Sequence, residues 1–179
     1  MTGFTHVRDE LIHQGAVVGT YDGWFTGPDG QEFRRDVVRH PGAVSAVAID
    51  GDDIFLVRQY RAPIDRELWE IPAGKLDVVG ESPDATIVRE LAEEIGMVPG
   101  RLDFLMHFHH SPGFCDELQH IYLAHDLTPV PQVTDGLEEE HMTIERVSFE
   151  VAIEMAMDGR ITDGKSIAGI LAAARKLGR

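Results

Sequence analysis

Cysteine is almost absent, Cys115 being the only one in 179 residues. No intramolecular disulfide can form, so a packed core has to hold the chain together, and a reducing, cytoplasmic setting is the simplest expectation. Long apolar runs are missing as well. The first hydrophobic stretch is broken by Gly15 and Gly19, and nothing there has the length of a signal peptide or a membrane span. The expected protein is soluble, with no membrane partner. Basic residues are scarce, with 16 Lys and Arg against 31 Asp and Glu and a formal net charge of −15. Clustered Lys and Arg are what bind a phosphate backbone, so a nucleic-acid polymer is a poor candidate for the main partner. A small phosphorylated ligand remains open. Repeats and low-complexity tracts are also lacking.

What is present reads as punctuated strands followed by helices, in a length that suits one compact domain with a small appended part. Strand-like runs at 16–25 and 31–38 flank Gly27-Pro28-Asp29-Gly30, whose Pro and Gly pre-set a turn. This predicts an N-terminal β-hairpin within residues 1–40, a small sheet apart from the main domain at 41–179. A second hairpin is expected where Val44, Val47 and Ile49 meet Ile54, Phe55, Leu56 and Val57 across Asp50-Gly51-Asp52. Further strands are expected at 67–71, 102–108, 118–124 and 142–147. Strands interleaved with helices imply an α/β or α+β layered domain.

The best-marked helix has Ser82 as N-cap, Pro83 at its first position, Asp84 in its first turn and Gly96 as its stop. Ala85, Val88, Leu91, Ala92 and Ile95 recur at helical spacing and form its buried stripe. Two more helices are expected at 149–157 and from about 166 to 177, both structural.

On the first helix Glu90, Glu93 and Glu94 fan over roughly one third of the circumference, at about 100° per residue. Like charges at this spacing cost a few tenths of a kcal/mol per pair, roughly what a good ion pair would contribute. Glu93 and Glu94 also occupy the last turn, where the helix dipole favours a cation. Local stability opposes the arrangement, and Arg89 offsets only part of it. Acidic pairs are common on solvated helix faces, but a rigid cluster of carboxylates is also what a hard divalent ion such as magnesium selects.

The run Gly74-Lys75-Leu76-Asp77-Val78-Val79-Gly80-Glu81 is followed, after seven residues, by Arg89-Glu90-Leu91-Ala92-Glu93-Glu94-Ile95-Gly96-Met97. This resembles the Nudix box: Gly, five residues, Glu, seven residues, then Arg-Glu-apolar-any-Glu-Glu-any-Gly-apolar. One departure is visible, since six residues and not five separate Gly74 from Glu81; the extra one falls in the loop and leaves the helical carboxylates in register. Outside the box, Arg58-Gln59-Tyr60-Arg61 followed by Glu70-Ile71-Pro72-Ala73-Gly74 looks like the ADP-ribose pyrophosphatase branch. So do Ser111-Pro112-Gly113-Phe114-Cys115-Asp116-Glu117 and the position of Pro112, fifteen residues past Met97.

The resemblance implies a Nudix-type α/β/α sandwich with a mixed sheet, plus a small N-terminal β subdomain. It implies magnesium, with manganese able to substitute, bound by Glu90, Glu94 and the Ala73 carbonyl, with Glu93 as an additional ligand or catalytic carboxylate. Arg89 would orient the carboxylates and Glu81 brace the loop. Arg61 and Arg35 would contact substrate phosphates and the terminal ribose, a task that suits the fixed fork of arginine donors; Glu117 would bind a ribose hydroxyl or a neighbouring subunit. From the acidic run Glu138-Glu139-Glu140, Glu138 is favoured as general base and Glu140 as metal ligand, with Glu139 able to replace either.

The implied reaction is hydrolysis of ADP-ribose to AMP and ribose 5-phosphate by a homodimer whose N-terminal hairpin joins the interface. Alternatives are another nucleoside-diphosphate derivative, a sugar nucleotide or dinucleotide, or a non-catalytic ADP-ribose sensor. His107, His109 and His110 do not make a zinc site, since neighbours along a strand point to opposite faces. Cys115 has no adjacent basic residue to activate it. Trp24 and Phe25 fit base stacking or packing equally well.

Overall fold

The computed structural model describes residues 3–132 and 141–179. It divides into two compact units, Met1–Gly42 with His109–Leu118, and Ala43–Phe108 with Gln119–Arg179.

In the first unit β1 (Thr5–Gln14), β2 (Gly19–Thr26) and β3 (Glu32–Arg39) form an antiparallel sheet in the order β1-β2-β3. The expected hairpin is β2-β3; β1 is an addition that the sequence did not announce. Its register slips between His6 and Arg8 and again between Leu11 and His13, so its side chains do not follow the two-residue alternation that marks a strand. The β2-β3 turn closes through Gly30, at φ +79°, with Gly27 N–H donating to the Gln31 carbonyl at 2.9 Å. Phe25 and Phe33, paired across the strands, stack with ring centres 5.7 Å apart. The 109–118 segment joins by backbone pairing, Val38 N–H to Phe114 O at 2.7 Å and Asp116 N–H to Val38 O at 3.2 Å. The Asp116 carboxylate in turn accepts from Arg39 and the His40 N–H.

The second unit is built on a seven-stranded mixed sheet. Its main path is β10-β5-β4-β9-β8, with β6 added to β5 and β7 to β4; the strands are β4 (Ala43–Asp50), β5 (Asp53–Arg61), β6 (Arg66–Glu70), β7 (Ala73–Lys75), β8 (Met97–His109), β9 (Leu118–Pro129) and β10 (Thr143–Ser148). β4 and β9 run parallel, Ala43 to Ala48 facing Gln119 to Ala124. The β4-β5 hairpin pairs only at Ile49↔Ile54 and Asp50↔Asp53. Beyond that point β5 takes β6 as partner, Val57 facing Glu70, and β4 takes β7, Ser45 facing Ala73. The short link between them crosses from one strand to the other, held by Ala46 N–H to the Pro72 carbonyl at 3.0 Å. That crossing places the Ala73-Gly74 backbone.

Side-chain alternation along the strands divides the core into two faces. Val44, Ala46, Ala48, Phe55, Val57, Tyr122 and Ala124 pack with Ile87, Leu91 and Ile95 of α1 (Pro83–Ile95). Their neighbours Val47, Ile54, Leu56, Ile121 and Leu123 pack with α2 (Phe149–Asp158) and α3 (Gly164–Leu177). The result is the expected α/β/α layering. Among the described residues no helix is long and apolar enough to cross a membrane.

α1 has the predicted ends. The Ser82 hydroxyl accepts from Ala85 N–H at 3.2 Å, and Gly96, at φ +64°, donates its N–H to Leu91 O. Ser82→Ala should cost about 1 kcal/mol and lower the melting temperature by roughly 2–4 °C. A thermal scan of the variant that overlays the parent would show the cap to be dispensable. α3 begins earlier than the expected start at about 166, because Asp163 is its N-cap and accepts from Ser166 N–H at 3.0 Å.

Candidate active site

Glu90 and Glu94 lie one helical turn apart on α1 and are only 8% and 4% exposed. Both turn toward the start of β7. The Ala73 N–H donates to Glu94 Oε2 at 2.9 Å, and the Glu90 carboxyl lies against Gly74 so closely that a Cβ there would stand 2.0 Å from its Cδ. The backbone at 73–74 and two buried carboxylates are thus one constellation, assembled from a helix and a strand start about twenty residues apart in sequence. Burying two like charges is costly unless something compensates them.

Arg89 supplies part of that compensation. Its guanidinium pairs with Glu90 Oε1 at 2.8 Å, donates to Glu93 Oε2 at 2.8 Å, and reaches both oxygens of Glu81 at 3.3 and 3.1 Å. Hydrogen bonds to Glu81 raise the Arg89 pKa above its ordinary value against the opposing effect of burial, with the charges of Glu90 and Glu93 adding to the rise. In the other direction, Arg89 hydrogen bonds lower the Glu81 pKa, helped by the Thr86 hydroxyl at 2.9 Å. A carboxylate depressed in the fold stabilises it above the ordinary carboxylate pKa and loses that contribution as pH falls through the folded-state value. The loop before α1 is therefore tied to the helix more firmly at neutral pH than in acid.

Arg61, at the end of β5, grips Glu70 of β6 in a fork, Nε to Oε1 at 2.6 Å and Nη2 to Oε2 at 2.5 Å. Glu70 is 1% exposed and also accepts from Lys165 near the start of α3. Burial works to raise the Glu70 pKa, but the Arg61 hydrogen bonds and the charge of Lys165 outweigh it and hold the carboxyl below its ordinary value.

A NUDIX domain model matches residues 39–168. The chain belongs to the Nudix family. It is 36% identical to an ADP-ribose pyrophosphatase of Bacillus subtilis over 89% of this chain and 86% of that protein. It is 38% identical to an ADP-ribose pyrophosphatase of Mycobacterium tuberculosis over 94% and 82%. A methanol dehydrogenase activator of Bacillus methanolicus is 36% identical over 92% and 89%. Among solved structures, one titled as an ADP compounds hydrolase superposes with a TM-score of 0.81 at 22% identity, covering 98% of this chain and 94% of that one; it shares the Nudix fold.

Within this Nudix chain the first unit holds Arg35 and Glu117. Arg35 lies 4.8 Å over the Phe33 ring and donates to the Arg34 carbonyl at 2.7 Å. Glu117 has its carboxylate 3.9 Å from His40 Nδ1. Both flank the same fold of β3 and the 109–118 segment, where Phe25, Phe33, Arg35 and Phe114 line an open cavity of about 440 Å³. Glu138, Glu139 and Glu140 lie outside the described residues. Sequence reasoning quoted Glu70 as part of a motif without giving it a role and passed over Lys165 and Asp163; the one local hint is a charged residue between Trp69 and Ile71 on a strand.

The donor set suits a hard divalent ion of the kind Nudix hydrolases use. Glu90 and Glu94 offer buried carboxylate oxygens beside the Ala73 peptide, and Gly74 leaves the space that any side chain would fill. Among the described residues no three His, Cys, Asp or Glu side chains converge as a ready cage. Two carboxylates and a carbonyl fit an ion such as magnesium, which keeps several waters and takes substrate oxygens for the rest of its shell.

Proposed function

We propose that this Nudix hydrolase is an ADP-ribose pyrophosphatase that cleaves ADP-ribose to AMP and ribose 5-phosphate with magnesium, manganese being able to substitute. The observation that carries the chemistry is the burial of Glu90 and Glu94 against the Ala73-Gly74 backbone. The choice of substrate is supported by the Arg58–Arg61 and Glu70–Gly74 runs and by the names of the two ADP-ribose pyrophosphatases at 36% and 38% identity.

Glu90, Glu94 and the Ala73 carbonyl would hold the ion, with Glu140 completing the set. When bound, it would neutralise the diphosphate and lower the pKa of an attacking water. Arg89 keeps Glu90 and Glu93 oriented from behind. Arg61 offers the substrate those of its five N–H donors that Glu70 does not use. Arg35 is a candidate contact for the phosphates and the terminal ribose, Glu117 for a ribose hydroxyl or a neighbouring subunit, and Glu138 accepts the proton from water. A cytoplasmic homodimer is part of the proposal; the exposed Val7, Leu11 and Ile12 on β1 support a partner surface there.

Glu138→Gln should lower kcat by roughly 10²–10⁴-fold, the usual worth of a general base, while magnesium affinity stays near that of the parent. An unchanged pH-rate profile would move the base to Glu139 or Glu140. The proposal as a whole is tested by incubating ADP-ribose, sugar nucleotides, dinucleotides and nucleoside triphosphates with magnesium or with chelator and identifying products by chromatography. Metal-dependent AMP and ribose 5-phosphate from ADP-ribose, ahead of the rest, is the expected result. Faster cleavage of another diphosphate would keep the site and replace the substrate, and tight ADP-ribose binding without products would identify a sensor.

A further inference from the structure

Lys165 is a buried cation that the chemistry above does not use. Its side chain is 8% exposed, a position lysine takes almost only when paired. Its ammonium lies between Glu70 Oε2 and Asp163 Oδ2, the latter at 3.1 Å. Asp163 is simultaneously the N-cap of α3, accepting from Ser166 N–H at 3.0 Å and Ser166 Oγ at 2.5 Å. Ser166 Oγ in turn accepts from Ile71 N–H at 2.8 Å, which fixes the start of α3 against the end of β6. A continuous path therefore runs from a helix cap through Lys165 and Glu70 to the guanidinium of Arg61.

Arg61 needs such support. It is the last residue of β5, just before the 3-10 turn Ala62–Ile64, and its long side chain is 38% exposed. Glu70 takes two of the five N–H donors of the fork. The carboxylate of Glu70 can aim that fork only if it is itself fixed and ionised. Two cations and two anions balance within the group, so removing either partner from α3 changes the field at Glu70. The charged groups acting here are Arg61 from β5, Lys165 and Asp163 from the start of α3, and Glu94 of α1, whose charge reaches Arg61.

We propose that Lys165 is a positioning residue for substrate binding: by holding Glu70 it aims the Arg61 guanidinium at the substrate phosphates. This rests on the diphosphate-hydrolase proposal and on the part Arg61 plays in it. A purely structural role, pinning α3 to the sheet, makes different predictions.

The test compares the parent protein with Lys165→Met and Asp163→Asn. Lys165→Met removes the charge and keeps the length. KM for ADP-ribose should rise about tenfold with kcat changed less than about threefold, the pattern of lost binding that is uniform through the reaction. The carbon-13 titration midpoint of the Glu70 carboxyl, read by NMR without substrate, should move up. Asp163→Asn keeps the cap, since asparagine caps as well as aspartate, and removes an anion near Glu70. Its Glu70 midpoint should move down and its KM should stay near the parent value.

Opposite displacements of one carboxyl by two substitutions at one helix start are not what simple loosening of α3 would give; that would lower thermal stability in both variants and leave KM and the Glu70 midpoint in place. A folded Lys165→Met protein with unchanged KM and unchanged Glu70 midpoint overturns the proposal. If Lys165→Met does not fold, Lys165→Gln takes its place: a raised KM together with a raised Glu70 midpoint supports the role, and an unchanged KM and midpoint overturn it. If the parent does not cleave ADP-ribose, the substrate assignment fails on its own. KM is then measured with the diphosphate it does cleave, and the Glu70 titration stands unchanged.

Discussion

Glu94→Gln is expected to remove nearly all turnover while leaving the protein as stable as its parent or slightly more so. The side chain is 4% exposed and takes the Ala73 N–H at 2.9 Å. Glutamine has the same shape and can accept that hydrogen bond through its amide oxygen, so the packing survives. What changes is charge. Glu94 stands one turn after Glu90 at the negative end of α1, and neutralising it relieves a repulsion of a few tenths of a kcal/mol per pair. For catalysis the same change would subtract one of the proposed metal ligands. If the charge stabilisation it supports in the transition state is several kcal/mol, a loss of about 4 kcal/mol corresponds to roughly a thousandfold fall in kcat/KM. A magnesium titration of activity, with a thermal melt on the same sample, checks both halves. Turnover within tenfold of the parent at saturating magnesium would take Glu94 out of the proposed site.

That opposition between local stability and function is why the carboxylate helix could be read from sequence. Ser82, Pro83 and Gly96 mark its ends, and Glu90, Glu93 and Glu94 stand where neither dipole nor neighbours favour them. The buried face was read only in part: Leu91 and Ile95 are buried as expected, but Ala85 is exposed, Val88 and Ala92 are half-buried, and Thr86 and Ile87 face the core instead. The layers were legible for a similar reason. Val44, Val47 and Ile54 to Val57 are apolar on both faces, as strands between two helix layers must be. β1 is the counterexample, because its register against β2 slips twice and its apolar side chains are largely exposed.

The support behind Arg61 was hidden for another reason. Glu70 and Lys165 are 95 positions apart, and nothing local distinguishes a strand glutamate that will be covered by a helix from one left in water. Burial by a distant element is a property of the assembled fold. The sequence shows Arg61 as a phosphate-binding candidate through its motif alone; the structure adds that part of its donor fork is already committed to Glu70. The protein holds an arginine ready by spending two of its hydrogen bonds on a buried carboxylate, a form of pre-organisation that limits the ordering cost of binding.

Gly74→Ala should separate the geometry of the site from the stability of the fold. Gly74 does not have a positive φ, so alanine can adopt its backbone. The conflict is with Glu90, whose Cδ, Oε1 and Cγ would lie 2.0, 2.1 and 2.3 Å from the new methyl. Those atoms form the flexible end of a side chain, and rotating them aside leaves the sheet and α1 in place, at an overpacking cost of about 1–3 kcal/mol. The carboxylate cannot move aside and still serve the site: a misplacement of about 1 Å can cost a hundredfold in rate. The expected variant is folded, modestly less stable, and reduced at least about a hundredfold in magnesium-dependent turnover. Glu90→Asp gives the second arm of a double-mutant cycle, because the shorter chain vacates the contested space. In the parent it should cost activity outright, whereas combined with Gly74→Ala it should cost far less or restore some, the non-additivity expected of atoms in contact. Additive losses would mean that Gly74 serves the backbone alone and that Glu90 does not depend on the space it leaves.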